Sequence, residues 1–282
     1  MIGANLPDVD VVSYLDGPLG DLAFRRGWTH GILALALWPF VLTAAVILLD
    51  RLCRRPSAFA PRLVPVEVLR LAAIAIVSHP ILDTLNTYGV RWLMPFDGRW
   101  FYGDTLFIVD PWMWLTLGLG VVLSRRRPGM ARAGLAVAAT YVVLMAAAAT
   151  AARRAATAEL RALGEKPDRL MVSPVPLDPF TRRVVARQGA VYRTASFHWL
   201  RRPHLDPATV RTWTAPDSDS PALRAAAATV VGRRFLGWAR FPRVEVTRSP
   251  AGDLVTLIDL RYRERPGSGF AAVAIPLAAT PR

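Results

Sequence analysis

Four stretches of the chain are apolar enough to be read as membrane-crossing helices. Residues 29–49 carry no acidic side chain, lysine or arginine. An α-helix rises about 1.5 Å per residue, so some 20 apolar residues cross a bilayer core of roughly 30 Å. Residues 66–87 form a second run, with Glu67 and Arg70 at its start and His79 and Asp83 near its end. A third, 106–123, is shorter and is interrupted by Asp110-Pro111. Proline has no amide hydrogen and fits the first helical turn, so this helix is predicted to start with Asp110 as its N-cap. Residues 134–152, almost all Ala, Val and Leu, are the fourth. Residues 153–169 read as a helical extension leaving the membrane.

Beyond Met171 the pattern changes to alternating apolar and polar positions separated by turn residues. Residues 190–200, 243–248, 254–263 and 270–276 are predicted as strands, and 249–253 (Ser-Pro-Ala-Gly-Asp) as a hairpin turn. Residues 221–238 read as one amphipathic helix. The expected fold is therefore a mainly α membrane helical bundle of about four transmembrane helices with a C-terminal soluble α+β domain. The expected division is 1–152 for the membrane domain, 153–170 for a helical linker and 171–282 for the soluble domain.

Charge refines this picture. The net charge is +14, and the only lysine is Lys166. The arginines cluster beside apolar runs, as in Arg51, Arg54, Arg55 and Arg125, Arg126, Arg127. That placement fits membrane orientation better than nucleic-acid binding, and no nucleic acid is expected as a partner. Loops 51–65 and 124–132 are the more basic and should be cytoplasmic. Residues 1–28, 88–106 and the C-terminal domain are then expected outside. The one cysteine, Cys53, excludes an intrachain disulfide framework. No cleavable signal peptide is legible, because Asp8 and Asp10 stand where a basic flank and apolar core would be.

The polar residues that remain fall at one end of the predicted spans. Asp8, Asp10, Arg25, Arg26 and His30 precede or open the first. His79 and Asp83, four apart and so on one helix face, close the second. Asp104 and Asp110 precede or open the third. Imidazoles and carboxylates at membrane depth are costly unless paired or bound to an ion, and together they suit zinc or another first-row divalent ion. Each residue also has a plainer reading. Asp8 and Asp10 can be turn and cap residues, Arg25 and Arg26 interfacial anchors, His30 an interfacial side chain bonded to backbone. His79 and Asp83 can satisfy each other, and Asp110 can be only a cap. Asp104 reads as a residue of an exposed loop. His198 and His204 read as surface residues.

The ordered set Pro7-Asp8-Val9-Asp10, Arg26-Gly27-Trp28-Thr29-His30, His79 with Asp83, Tyr88-Gly89, Pro95-Phe96 and Asp110-Pro111 resembles the bacterial family of membrane-bound, metal-dependent hydrolases of the YdjM type. The resemblance covers about residues 1–152. It implies a distant kinship with zinc-dependent phospholipase C and P1-type nucleases, hence a helical metal site and a phosphoester substrate, with membrane lipids as partners and the bacterial inner membrane as location. Carried onto this chain, it implies Asp10, His30, His79 and Asp83 as metal ligands, with Asp8 and Asp110 as ligands or orienters. A metal-activated water would attack the phosphoester while Arg26 holds its anionic oxygens. Two features depart from the family. Arg25 and Gly31 stand where members carry His and Ser, and the further apolar helix with a Thr-His pair that usually comes first is not seen before Asn5. Either the start is set too late or that helix is lacking here. The alternative function is a non-enzymatic, membrane-anchored binding or scaffold protein with a structural polar cluster.

Overall fold

The computed structural model describes residues 2–16, 22, 24–53, 63–217, 220–250, 252–263 and 270–278. Arg54, Arg55 and Arg62 of the first basic loop and Ala251 of the predicted hairpin turn lie outside these. The chain folds as two compact units, Met1–Gly103 and Asp104–Arg282.

In the first unit a single turn, α1 (Ile2–Asn5), leads into a 3-10 helix (Pro7–Asp16), then α2 (Ile32–Cys53) and α3 (Pro65–Thr84). Gly3 lets α1 lie close: a Cβ there would stand 3.0 Å from Leu42 and 3.2 Å from Ala75. The large apolar side chains of α2 and α3, among them Leu37, Phe40, Leu71 and Ile74, are mostly exposed. Such a surface is unfavourable in water and natural in lipid.

The second unit begins with two antiparallel helices, α4 (Pro111–Ser124) and α5 (Gly129–Ala162). Gly120 and Gly134 allow their backbones to approach: a Cβ on either would meet the Cα of the other at about 3 Å, 3.1 Å and 2.9 Å respectively. Asp110 caps α4 as expected, accepting from the amides of Trp112 and Met113. Among the described residues three helices, α2, α3 and α5, are long and apolar enough to cross a membrane. The expectation of about four is met for these three; α4 is apolar but has 14 residues, because Asp110-Pro111 fixes its start and it ends at Ser124, just before Arg125.

Helix α5 runs unbroken for 34 residues. Its C-terminal half buries Ala152, Ala156 and Leu160, one per turn, on the first of two sheets. That sheet is an antiparallel meander, β1 (Arg169–Pro174), β2 (Thr181–Gln188), β3 (Val191–His198) and β4 (Arg211–Thr214), in sequential order. Leu170, Val172, Val184 and Ala186 face the helix. Met171 and Val185 face the other way, onto Tyr192, Ala215, Phe241 and Leu260. A second meander holds β5 (Pro242–Ser249), β6 (Gly252–Asp259) and β7 (Ala272–Ala278).

Four predicted strands correspond to β3, β5, β6 and β7, while β1, β2 and β4 were not expected. The predicted helix 221–238 is two, α6 (Pro221–Ala228) and α7 (Val230–Trp238). Thr229 breaks it: its backbone is extended, and its hydroxyl accepts from the Gly232 amide at 2.9 Å, capping α7. Thr229→Ala should cost about 1 kcal/mol, the usual worth of such a cap, read as a lowered midpoint in thermal unfolding.

Two polar expectations are corrected. Asp104 is buried, not exposed, and one Arg240 nitrogen donates to both its oxygens at 2.9 Å. His204 is buried rather than at the surface. Its ring stacks on Phe197 at 4.9 Å and its Nδ1 bonds the His198 carbonyl. For Asp104 the partner that repays the burial is 136 positions away, whereas those of the His204 ring lie on the strand just before it.

Candidate metal centre

Three segments of the first unit converge on one point. The 3-10 helix supplies Asp8, the segment before α2 supplies His30, and the last two turns of α3 supply His79 and Asp83. One ligand atom from each of the four lies within 4.8 Å of all the others. His30 Nε2 is 3.8 Å from Asp8 Oδ1 and 3.6 Å from Asp83 Oδ2. His79 Nε2 is 3.5 Å from both Asp8 Oδ2 and Asp83 Oδ2. The two imidazoles are 5.2 Å apart, centroid to centroid.

These separations are long for hydrogen bonds. They are near the roughly 3.4 Å that separates donors sharing a tetrahedral ion with bonds of about 2.1 Å. Nε2 of His30, Nε2 of His79 and Oδ2 of Asp83 are all buried without a hydrogen-bond partner. Buried polar atoms are nearly always satisfied, so three orphans facing one another suit a positive centre between them. The donor set, two imidazoles and two carboxylates, therefore fits a divalent cation such as zinc.

The outer bonds aim the lone pairs inward. His79 Nδ1 donates to the Ala4 carbonyl at 2.6 Å, which leaves Nε2 free to ligate. His30 Nδ1 stands 2.9 Å from the Thr29 hydroxyl and 3.3 Å from Asp10 Oδ2. Thr29 in turn donates to the same Asp10 oxygen at 2.9 Å. Asp10 thus sits behind His30, fully buried, where carboxylates orient ligating histidines. Asp10→Asn should weaken metal affinity by roughly 10–100-fold while leaving the number of bound ions unchanged, measured by competition with a chelating dye.

Arg26 is held from both directions. Its backbone is left-handed, φ 51°, a conformation costing a non-glycine residue about 1–3 kcal/mol. Its amide donates to Asp10 Oδ2 at 2.8 Å, offsetting part of that cost. Its guanidinium donates to Asp83 Oδ1 at 3.1 Å and Asn86 Oδ1 at 3.2 Å, and lies over the Tyr88 ring. Asp83 therefore gives one oxygen to Arg26 and the other to the centre. Gly31 is required beside it: a Cβ there would stand 2.5 Å from the Met94 carbonyl oxygen.

Asp8 is the most exposed of the four, 40% at its side chain. It lies outside the long helices, and the His79 imidazole beside it holds its carboxyl below the ordinary range, so it is ionised at neutral pH. Asp110 belongs to the second unit. One of its oxygens caps α4, and the other accepts from the Tyr141 hydroxyl at 3.0 Å.

The residues expected to act together thus divide. Asp8, His30, His79 and Asp83 converge; Asp10 and Arg26 stand behind them. Sequence reasoning passed over Thr29, Asn86 and the Ala4 carbonyl. Thr29 and Asn86 lie within the motifs already singled out, whereas a backbone carbonyl leaves no signal in sequence.

Over 116 residues the chain is 25% identical to the Uncharacterized protein YfhP of Bacillus subtilis (strain 168), covering 41% of this chain and 32% of that protein. The chain thus spans about a third of that relative's length. No solved structure matches it. Residues 1–152, which hold the whole four-donor group, match the YdjM inner membrane protein family; the chain belongs to that family.

Proposed function

We propose that the chain is a membrane hydrolase dependent on a divalent cation, zinc by the character of its donors, acting on a phosphoester of a membrane lipid. The observation that supports this best is the meeting of His30 Nε2, His79 Nε2 and Asp83 Oδ2, buried and unpartnered. A cation bound there supplies Lewis acidity and brings a water to its nucleophilic form near neutral pH. The protein's residues do the rest. Asp8, half-buried, closes the group on its open side and leaves room for a substrate, as catalytic sites require. Asp10 and the Ala4 carbonyl keep the two imidazoles in the ligating tautomer. Arg26, its two terminal nitrogens taken by Asp83 and Asn86, acts as a positioning residue and offsets the negative charge of the carboxylates.

The lipid substrate follows from place. His79 and Asp83 lie in the last two turns of α3, at the end of a candidate span, where headgroups are found. Helix α4 is read as a fourth, short crossing, and the basic-loop pattern puts the C-terminal domain outside the cytoplasm. Protein purified in detergent should carry a stoichiometric divalent ion by mass spectrometry. It should hydrolyse phospholipid in mixed micelles, stop on chelation, and recover with zinc. Metal-free protein, or turnover indifferent to chelator, would sink the proposal and favour an anchored binding protein.

A further inference from the structure

One end of the four-stranded sheet carries apolar side chains that no core explains. The β1–β2 connection and the segment after β3 meet there: Thr181 pairs with His198, and the Trp199 amide donates to the Phe180 carbonyl at 3.0 Å. From these two segments Leu177 is 70%, Phe180 54% and Leu200 80% exposed. Arg201 and Arg202, both exposed, follow directly. The acidic residue among them, Asp178, turns its carboxylate back to accept from the Phe180 amide at 2.8 Å.

The same end is tied to the apolar helix pair. Trp112, in the first turn of α4, donates from Nε1 to the Leu177 carbonyl at 3.3 Å. Arg182, the second residue of β2, reaches the Met145 carbonyl of α5 at 3.4 Å. Met145 is 16 residues beyond Gly129, about 24 Å along the helix, less than the thickness of a hydrocarbon core. The sheet end therefore stands at a depth where α5 is still inside the bilayer's bounds. Trp112 and Trp114, both exposed, mark the same level with the side chains preferred at the lipid–water boundary.

We infer that this edge of the soluble domain is a membrane-docking surface: Leu177, Phe180 and Leu200 enter the outer acyl region, and Arg201 and Arg202 meet lipid phosphates. The occupant is the bilayer that the chain's own helices cross. The inference rests on α4 and α5 lying in the membrane, not on the hydrolase reading. Apolar side chains beside a basic rim are the chemistry of interfacial binding, each buried methylene contributing about 0.8 kcal/mol.

The test uses the full chain with Cys53→Ser, in nanodiscs containing phosphatidylglycerol. Single cysteines replace Leu177, Phe180 or Leu200, and Gly189 at the opposite end of the sheet, and carry an environment-sensitive fluorophore. Dyes at the first three positions should be blue-shifted and lose most of their emission to nitroxide-labelled lipid, while the dye at 189 should not. Water-like, unquenched emission at 177, 180 and 200 would overturn the inference. A dye at Val121, exposed on α4, separates the two failures: quenching there without quenching at 177 sinks the docking alone, and no quenching at 121 sinks the span it rests on. Wild-type protein gives a readout free of substitution. Amide exchange at 175–180 and 199–203 should be slower in nanodiscs than in amphipol, and equal rates would overturn the inference.

Discussion

His79→Ala should abolish stoichiometric metal binding, and Asp83→Ala should do the same. Each removes one of four donors and leaves the others too few to hold an ion in competition with water. The loss of affinity should exceed the roughly 10–100-fold typical of losing an outer hydrogen-bond partner. His79→Ala is the cleaner probe. Among the described residues its ring bonds the Ala4 carbonyl outside the donor group, whereas Asp83 also anchors Arg26. Wild-type affinity should fall on acidification, because protons compete with the ion for the donors' lone pairs. The thermal shift on adding zinc gives a second readout. At a hundredfold excess over Kd, binding should stabilise the wild type by about 2.7 kcal/mol, and the variant should gain nothing. His198→Ala, in the second unit, serves as the control and should bind normally. Wild-type metal content in His79→Ala would remove the site.

Arg26→Ala should be the most destabilising single change in the first unit, by about 3–5 kcal/mol, because it strands a buried carboxylate. Arg26 and Asp83 side chains are 7% and 15% exposed, so water does not replace the lost bond. Asn86 loses a donor as well. Alanine pays much the same backbone cost at φ 51° as arginine does, so the effect reports the guanidinium. Arg26→Lys should recover little, since an ammonium cannot span Asp83 and Asn86 while lying flat on Tyr88. Chemical unfolding in detergent micelles measures it. A variant within about 1 kcal/mol of wild type, the worth of an ordinary hydrogen bond, would show that Arg26 is not what holds Asp83.

Much of this is legible in the amino-acid sequence. The uncharged run before Asp50 and the His79–Asp83 spacing are local signals, and local signals survive folding. So does Asp110 before Pro111, where cap and proline act on the same turn. What could not be read depended on distant partners. Strands β1 and β2 are covered on both faces, by α5 on one side and by Phe241 and Leu260 on the other. Strands buried on both faces lose the alternation that betrays a half-buried one, and Leu170-Met171-Val172 offers no period of two. Within the site, spacing brought His79 and Asp83 together, but the resemblance set Asp10 ahead of Asp8 as a ligand, whereas Asp8 is the one grouped with them. Two residues apart on a tight 3-10 helix, the two aspartates point differently, and only Asp8 reaches the group. Arg26 reads as a free cation because its acidic partner is 57 positions away.

The unbroken run of α5 from the helix pair into the sheet core fixes an angle as well as a distance. Each residue turns the helix by about 100°. One alanine added between Met145 and Ala152 would swing Ala152, Ala156 and Leu160 away from the strands they touch. Seven would bring them back to within about 20° of their heading and shift the whole sheet domain some 10 Å along the helix axis. Length in this segment is therefore quantised: the sheets can move along the helix axis only in steps that restore their rotational phase.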